Sequence, residues 1–193
     1  MKYDIHDTKA MVIRSHGHGE HGLSVLLMTR EFGCLYARAV GARKPHSKIR
    51  SGLVDGSYVS AGLVAGKCGW RVTYLVPHSN FYFSLKNRPS GRKAVANILS
   101  VCGHLIGESE GGREVFEIVK EGLFKISSGE GKIGDIERSV MLRLLYVLGY
   151  VDHSIYSSFF SEEGVLRKVE APDRSLKGRR LTREINRALS VAW

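Results

Sequence analysis

Basic side chains are concentrated in one short stretch of the sequence, which runs from residue 38 to residue 50. Five of its thirteen residues are lysine or arginine: Arg38, Arg43, Lys44, Lys48 and Arg50. Glycine and proline interrupt the stretch, and this composition favours an exposed loop. Cations on an exposed loop can contact successive phosphate groups, and Ser47 and backbone amides can donate further hydrogen bonds to them. The stretch therefore predicts a polyanion-binding surface, with a solvated charged loop as the alternative.

Further basic and aromatic residues lie on the neighbouring strands and turns that the sequence predicts. The secondary phosphate-contacting candidates are Arg14, Arg30, Lys67 and Arg71. The aromatic residues are Tyr36, Tyr58, Trp70 and Tyr74. Aromatic rings can stack on nucleic-acid bases, but side chains alternate between the two faces of a strand, so a small barrel buries many of them. Both roles stay open for each ring.

The histidine run His16-Gly17-His18-Gly19-Glu20-His21 is a second pattern with possible chemistry. Closely spaced imidazoles on a glycine turn can share one zinc ion, and the run is similar to the metal motif of metallo-β-lactamase-type hydrolases. That class needs further ligands and a large αββα sandwich, neither of which the sequence offers, and Glu20 replaces the usual Asp. We expect an exposed hairpin tip and no metal or cofactor, with a zinc hydrolase as the alternative.

The overall charge also favours a polyanionic partner, since 29 basic residues stand against 19 acidic ones and give a net charge of +10. No apolar run approaches the roughly 20 residues that a membrane span requires, and the N-terminus lacks the apolar stretch of a secretory signal. We therefore expect a cytoplasmic, nucleoid-associated protein with no membrane contact. Cys34, Cys68 and Cys102 are odd in number and form no CxxC pair, which predicts three buried, reduced thiols.

The elements that must position these side chains begin with five short strands between Lys9 and Pro77. They are separated by glycine-rich turns and cover residues 10–13, 23–28, 34–40, 58–64 and 70–76. The long connection between the third and fourth strands is typical of an OB-fold, so we expect a closed antiparallel five-stranded barrel.

Helical periodicity replaces strand alternation after Pro77. Apolar residues at helical spacing predict three core-facing helices, over residues 94–106, 115–124 and 136–148. Phe124 lies on the apolar face of the second. Asp135 lies near the start of the third, and Gly149 ends it. A shorter fourth helix is predicted from Thr182, after an irregular segment over residues 157–180. The fold class is thus α+β, with an OB-fold nucleic-acid-binding domain at 1–80 and a helical domain with an irregular C-terminal segment at 81–193.

Four pieces of the N-terminal sequence, in order and spacing, resemble the N-terminal domain of the RecO family. They are a first strand at residues 10–13, the pair Gly19-Glu20, a strand ending in Thr29-Arg30-Glu31-Phe32-Gly33, and the run Gly41-Ala42-Arg43-Lys44 followed by Ser47. Residues 144–150, Leu-Leu-Tyr-Val-Leu-Gly-Tyr, are similar to a helix of the same family's helical domain. Many members carry a four-cysteine zinc module after that helix, whereas this chain has no cysteine beyond Cys102. The resemblance is to a short member without that module.

The resemblance implies a recombination mediator without enzymatic activity. Such a protein binds single- and double-stranded DNA, promotes strand annealing and assists recombinase loading, with single-stranded-DNA-binding protein and RecR as partners. Arg138 and Arg143 are candidates for binding the acidic tail of a partner, with surface solvation as the alternative for each. An RNA- or ribosome-associated OB-fold protein remains the other binding alternative, because a preference for the 2′-hydroxyl leaves no mark in a sequence.

Overall fold

The computed structural model describes residues 4–107, 112–160 and 174–192, and its N-terminal part is a closed barrel of five strands. The strands are β1 (His6–His18), β2 (Gly22–Thr29), β3 (Gly33–Ala39), β4 (Ser57–Gly66) and β5 (Gly69–Asn80). They neighbour one another in the order β1-β2-β3-β5-β4, and β4 pairs back onto β1. With helices following the barrel, the predicted OB-type α+β fold is confirmed.

The prediction of an entirely antiparallel barrel is wrong at one pair of strands. β3 and β5 run parallel, with Ala37 opposite Trp70 and Arg38 opposite Arg71, whereas the other four pairs are antiparallel. Strand direction cannot alternate at every step around a closed ring with an odd number of members. A five-stranded barrel therefore requires at least one parallel pair.

The alternation of side chains along β3 shows how the sequence forms the barrel wall. Leu35, Ala37 and Ala39 point inward and are buried with the apolar residues of the other strands, whereas Tyr36 and Arg38 point outward and are exposed. Small residues suit the inward positions because the interior of a five-stranded barrel is narrow. The same alternation presents the arginine to solvent.

The turn between β2 and β3 explains one of the sequence motifs. The buried Thr29 hydroxyl donates to the carbonyl of Gly33 at 2.8 Å and accepts from the backbone amide of Phe32 at 3.0 Å. Gly33 has a φ of 66°, which an L side chain rarely adopts. Threonine and glycine at the two ends of this motif are thus needed for the reversal itself.

The chain divides into two compact units, Met1–Glu117 and Ile118–Trp193. In the first unit, the barrel is followed by α1 (Phe81–Ser84), α2 (Pro89–Leu105) and the beginning of α3 (Gly112–Ser128). The apolar face of α2 is buried, and a Cβ added at Gly103 would lie 3.1 Å from the Ile13 side chain of β1. Glycine therefore permits close contact between α2 and the barrel. The domain border at residue 80 stays a prediction: β5 ends at Asn80, but the compact unit continues.

The second unit contains the rest of α3 together with α4 (Ile133–Val147), α5 (His153–Phe159) and α6 (Arg174–Ala192). The end of α4 has the hydrogen bonds of a Schellman motif: the Tyr150 amide donates to Leu145 at 2.8 Å and the Gly149 amide to Tyr146 at 3.0 Å. Gly149 has a φ of 80°, so the Leu-Gly-Tyr signature in the sequence is a helix C-cap.

Several helical details differ from the sequence prediction. α1 and α5 were not predicted, because four and seven residues are too short to show a helical period. α6 begins at Arg174 and not at Thr182, and part of the segment predicted to be irregular is helical at both of its ends. Residues 174–180 contain four basic residues and a single large apolar one, Leu176, so they show no apolar period that could have predicted the earlier start. Pro172 lies outside the described residues.

Two predicted core positions are exposed. Phe124 was predicted on the apolar face of α3 but is 41% exposed. Cys68 is also exposed, in contrast to the buried Cys34 and Cys102, because it lies in the short turn between β4 and β5. Of the helices that the structure describes, none is long and apolar enough to cross a membrane.

Candidate nucleic-acid interface

The loop that follows β3 is held in a compact series of turns. The amides of Ala42, Lys44 and Ser47 donate to the carbonyls of Ala39, Gly41 and Lys44, respectively. Ala42 is completely buried and anchors the loop in the barrel core, and Gly41 has a φ of 68°. The loop can therefore hold its cations in defined positions. Those that project into solvent are Arg43, Lys44, Lys48 and Arg50, while Ser47 is half-buried.

Arg43 attaches this loop to the hairpin formed by β1 and β2. Its backbone amide donates to the carbonyl of His21 at 2.9 Å. A Cβ added at Gly17 would lie 3.4 Å from Nη1 of Arg43, so the guanidinium passes over the glycine. The cation of the loop and the end of β1 thus belong to one surface.

The outward side of the strands continues this surface. Across the register, His16 is opposite Ser24, Ser24 is opposite Arg38, and Arg38 is opposite Arg71, which forms one row over four strands. Adjacent strands lie about 4.8 Å apart, so the two arginines project side by side. Both are exposed, and neither has an ion-pair partner among the described residues. This row leaves two positive charges without local compensation.

The next row of the same sheet adds a cation and an aromatic ring. Arg14 is opposite Leu26, and Leu26 is opposite Tyr36, whose side chain is 46% exposed. Lys67 is exposed in the β4–β5 turn, four residues before Arg71. We refer to Arg14, Tyr36, Arg38, Lys67 and Arg71, together with the loop cations, as the barrel face. It combines charges for phosphates with a ring on which a base can stack.

The remaining predicted site residues have other surroundings. Arg30 is half-buried and its Nε donates to Glu117 at 2.7 Å, so it lies in a local ion pair. Arg138 pairs with Asp135 within α4, and Arg143 contacts Glu121 at 3.2 Å. These three arginines already have carboxylate partners, which a ligand would have to displace.

Two of the four aromatic candidates contribute mainly to packing. Trp70 is half-buried and packs against the barrel core, with its ring 5.3 Å from that of Phe32. Tyr58 is half-buried, and its ring lies 5.3 Å from that of His78. Tyr74, which is 38% exposed, donates from its hydroxyl to Asp7, and this hydrogen bond raises the pKa of the phenol. Only Tyr36 among the four lies on the barrel face.

The histidine run lies at the hairpin tip, where the sequence placed it. His16 and His18 end β1, and His21 lies beyond the turn with Nε2 at 3.7 Å from Glu20. Within the described ranges, no three His, Cys, Asp or Glu side chains are grouped so that they could hold a metal ion. The geometry therefore gives the zinc-hydrolase alternative no support.

One group of four exposed basic residues was not predicted from the sequence. Lys86, Arg88, Arg92 and Lys93 lie at the junction of α1 and α2, and all four are exposed. The signal that could have found them is the absence of acidic residues: the sequence contains no Asp or Glu from 56 to 107.

Comparison with known proteins gives matches over most of the chain. A family model described as Recombination protein O N terminal matches residues 1–67. The chain is 28% identical over 148 residues to the DNA repair protein RecO of Desulfitobacterium hafniense, which covers 76% of this chain and 52% of the relative. It is 29% identical over 146 residues to that of Heliobacterium modesticaldum, with the same coverage. It is also 29% identical over 163 residues to the DNA repair protein RecO of a Nocardioides species, which covers 82% of this chain and 67% of the relative. The chain thus spans about half the length of the first two relatives.

The closed barrel and the helices after it define an OB-type barrel protein with a helical region. The family model matches the barrel as far as Lys67, and the relatives match beyond it into the helices. The barrel is thus similar to the N-terminal domain of recombination protein O, and most of the chain is similar to proteins named DNA repair protein RecO.

Proposed function

We propose that this chain is a DNA-binding recombination mediator that acts without covalent chemistry of its own. It binds single- and double-stranded DNA through the barrel face, promotes annealing of complementary strands and assists recombinase loading in recombinational repair. The observation that carries the proposal is the row containing Arg38 and Arg71, continued by Arg43 over Gly17. The name of its relatives, DNA repair protein, supports the same role.

The chemistry of the barrel face suits binding that is independent of sequence. Annealing requires a surface that neutralises phosphates but leaves the base edges free to pair, and exposed arginine and lysine side chains do this. Tyr36 supplies one ring on which any base can stack, because every base has a π face. The barrel face therefore holds a strand without reading it.

The proposed partners, single-stranded-DNA-binding protein and RecR, follow from the resemblance to the RecO family. Arg138 and Arg143 are the proposed contacts for an acidic partner tail, which would compete with Asp135 and Glu121 for them. The DNA interaction can be tested without either partner.

The loop variant Arg43→Ala, Lys44→Ala, Lys48→Ala tests the proposal. If about five or six phosphates are neutralised on a single strand, log K falls with log salt with a slope of roughly −4, since each phosphate contributes about −0.7. Loss of three cations flattens the slope by about 2 and weakens binding to all sequences alike. Fluorescence anisotropy of a labelled oligonucleotide across a salt series measures both effects.

The matched control replaces three exposed arginines of α6: Arg179→Ala, Arg180→Ala, Arg183→Ala. It removes the same charge from the second unit and should retain the wild-type slope. An unchanged slope in the loop variant would place the binding surface elsewhere. Competition between matched DNA and RNA strands gives the second check, because a clear preference for RNA contradicts a role in DNA repair and favours the RNA-associated alternative.

A further inference from the structure

The net charge of the chain is confined to one continuous part of the sequence. Residues 32–107 contain 11 lysines and arginines and a single acidic residue, Asp55, so their net charge is 11 − 1 = +10, equal to that of the whole chain. The other residues carry 18 basic and 18 acidic side chains and are neutral overall. Asp55 accepts hydrogen bonds from the amide and the hydroxyl of Ser15, at 2.8 and 2.9 Å, so it is engaged within the barrel.

Four of the 11 cations lie away from the barrel face, at the junction of α1 and α2. We call this group the α2 corner; it consists of Lys86, Arg88, Arg92 and Lys93, with the Phe83 ring beside them in sequence on α1. All four cations are exposed, and none forms an ion pair within the part of the chain that the structure describes. Phe83 is 68% exposed. The corner thus has the same two components as the barrel face, cations and an exposed ring.

The stability of α2 does not account for these cations. The N-terminal end of a helix carries a partial positive charge, so basic residues there are unfavourable and acidic ones are favourable. α2 has no acidic residue in its first turn, and the side chain of its N-cap residue Arg88 makes no capping hydrogen bond. Arg88 and Arg92 are also one helical turn apart, where like charges repel. A bound polyanion would offset the basic charge at the N-terminus of α2, the absence of a side-chain cap and the repulsion between Arg88 and Arg92.

α2 separates the corner from the barrel face. A Cβ added at Gly103 would lie 3.7 Å from the Leu26 side chain and 4.0 Å from Nη2 of Arg14, so this end of α2 lies beside the barrel face. Arg92 precedes Gly103 by 11 residues in the same helix, which corresponds to about 16 Å along the axis at 1.5 Å per residue. Two cationic surfaces therefore lie at opposite ends of one helix.

We propose that the α2 corner holds the phosphate backbone of a second DNA strand while the barrel face holds the first. The inference rests on the proposed annealing function, which requires two strands on the protein at once. Lys86, Arg88, Arg92 and Lys93 neutralise phosphates of the second strand, and the Phe83 ring stacks on one of its bases.

The test counts the strands that one chain can bind. Native mass spectrometry at low salt is done with an oligothymidylate of about ten nucleotides, which is within the usual site size of one OB-fold and cannot pair with itself. The wild-type chain binds two such strands. The corner variant Lys86→Gln, Arg88→Gln, Arg92→Gln, Lys93→Gln binds one. Its first Kd changes no more than that of a variant that loses four charges elsewhere in the chain, because charge interactions at low salt extend over about 30 Å and affect both variants. The barrel variant Arg38→Gln, Arg71→Gln loses the tighter of the two sites.

Two controls separate a local effect from a general one. The α6 variant Arg179→Gln, Arg180→Gln, Arg183→Gln, Arg187→Gln removes four exposed charges elsewhere and keeps both strands bound. The thermal midpoint of the corner variant is equal to or above that of the wild type, because cations at a helix N-terminus are unfavourable. A misfolded corner variant would be recognised by a lower midpoint, and Phe83→Ala, which leaves every charge in place, then provides the second measure of second-strand affinity.

The outcomes distinguish this inference from the function on which it rests. If the wild type and the corner variant each bind a single strand, the proposed second binding surface is wrong. DNA binding at the barrel face is not affected by that result. Loss of the second strand in the α6 variant would mean that net charge alone decides binding, which also overturns the second binding surface. A wild-type chain that binds no strand refutes the proposed function itself.

Discussion

Some features of the barrel face could be predicted from the sequence and others could not. The loop cations Arg43 and Lys44 were predicted because they are consecutive in a glycine- and proline-bounded stretch. That Arg38 lies opposite Arg71 could not be predicted, because it depends on β3 and β5 being neighbours in the barrel, although β4 lies between them in sequence. Local composition thus locates charged residues, while strand order decides which of them act together.

The three cysteines give a prediction at the same scale. Burial raises the pKa of the Cys34 thiol to about 12 and also raises that of Cys102, whereas Cys68 is exposed in a turn. Thiol reagents attack the thiolate, so a raised pKa and lack of access both protect a cysteine. We expect one fast-reacting thiol per native chain and three after denaturation.

A colorimetric disulfide reagent at about pH 8, close to the pKa of an ordinary thiol, measures the number of reacting groups. The Cys68→Ser variant should have no fast-reacting thiol in the native state. Two or more fast thiols in the native wild type would show that the barrel wall at Cys34 or the buried face of α2 at Cys102 opens readily.

Strands and long helices were predicted better than short elements and helix ends. All five strands and the three helices with extended apolar periods occur where the sequence placed them, because alternation and helical period are local properties. α1 was missed since it is specified by the Asn80 side chain, which accepts from the Phe83 amide at 3.0 Å, and by packing within the first unit. The parallel pairing of β3 with β5 is a property of the whole ring and has no local signature.

The contact between α3 and α4 gives a prediction at the scale of elements. A Cβ added at Gly122 would lie only 2.2 Å from Cγ2 of Val140, which is buried on the facing helix. Val has few rotamers in a helix, so the two helices would have to separate. We expect Gly122→Ala to lower the free energy of unfolding by up to about 2 kcal/mol, since overpacking costs about 1–3 kcal/mol and the better helix propensity of Ala offsets about 1 kcal/mol.

The matched control is Gly134→Ala in the first turn of α4. The nearest atom to a Cβ there is Nη1 of Arg138 at 3.5 Å, an ordinary contact with a flexible side chain. This substitution should raise stability slightly through helix propensity. Equal effects of the two variants in urea denaturation would contradict close packing at Gly122.

At the scale of the whole molecule, the main property is an uneven distribution of charge. Residues 32–107 carry the entire net charge of +10, and the rest of the chain is balanced. Like charges confined to one compact unit repel one another and oppose folding. The charge through which we propose that the first unit binds DNA therefore lowers its stability when no polyanion is bound.

This repulsion predicts how stability responds to salt. The Debye length falls from about 30 Å at 0.01 M to about 10 Å at 0.1 M, so added salt screens the repulsion across the first unit. We expect the thermal midpoint to rise by about 2–4 °C between these concentrations, the shift that corresponds to about 1 kcal/mol in a chain of this size. Differential scanning calorimetry measures it.

The corner variant, which lacks four of the repelling charges, should show a smaller rise with salt than the wild type. A midpoint that falls with salt would indicate that ion pairs such as that of Arg30 with Glu117 dominate the electrostatics of the first unit.

The parallel pairing of β3 with β5 also determines the order in which the barrel can form. β1, β2 and β3 can form successive hairpins from nearby residues, and β4 and β5 can form another, but β3 and β5 meet only at Ala37 with Trp70 and Arg38 with Arg71. This short seam joins residues about 33 positions apart, so its formation costs the entropy of closing the chain segment between them. The other long-range pairing, of β1 with β4, joins six residue pairs, whereas the seam joins two, so we expect the seam to be the last part of the ring to close and the first to open. Because a cation lies on each side of it, a phosphate backbone bound across Arg38 and Arg71 would act as a latch that keeps the barrel shut.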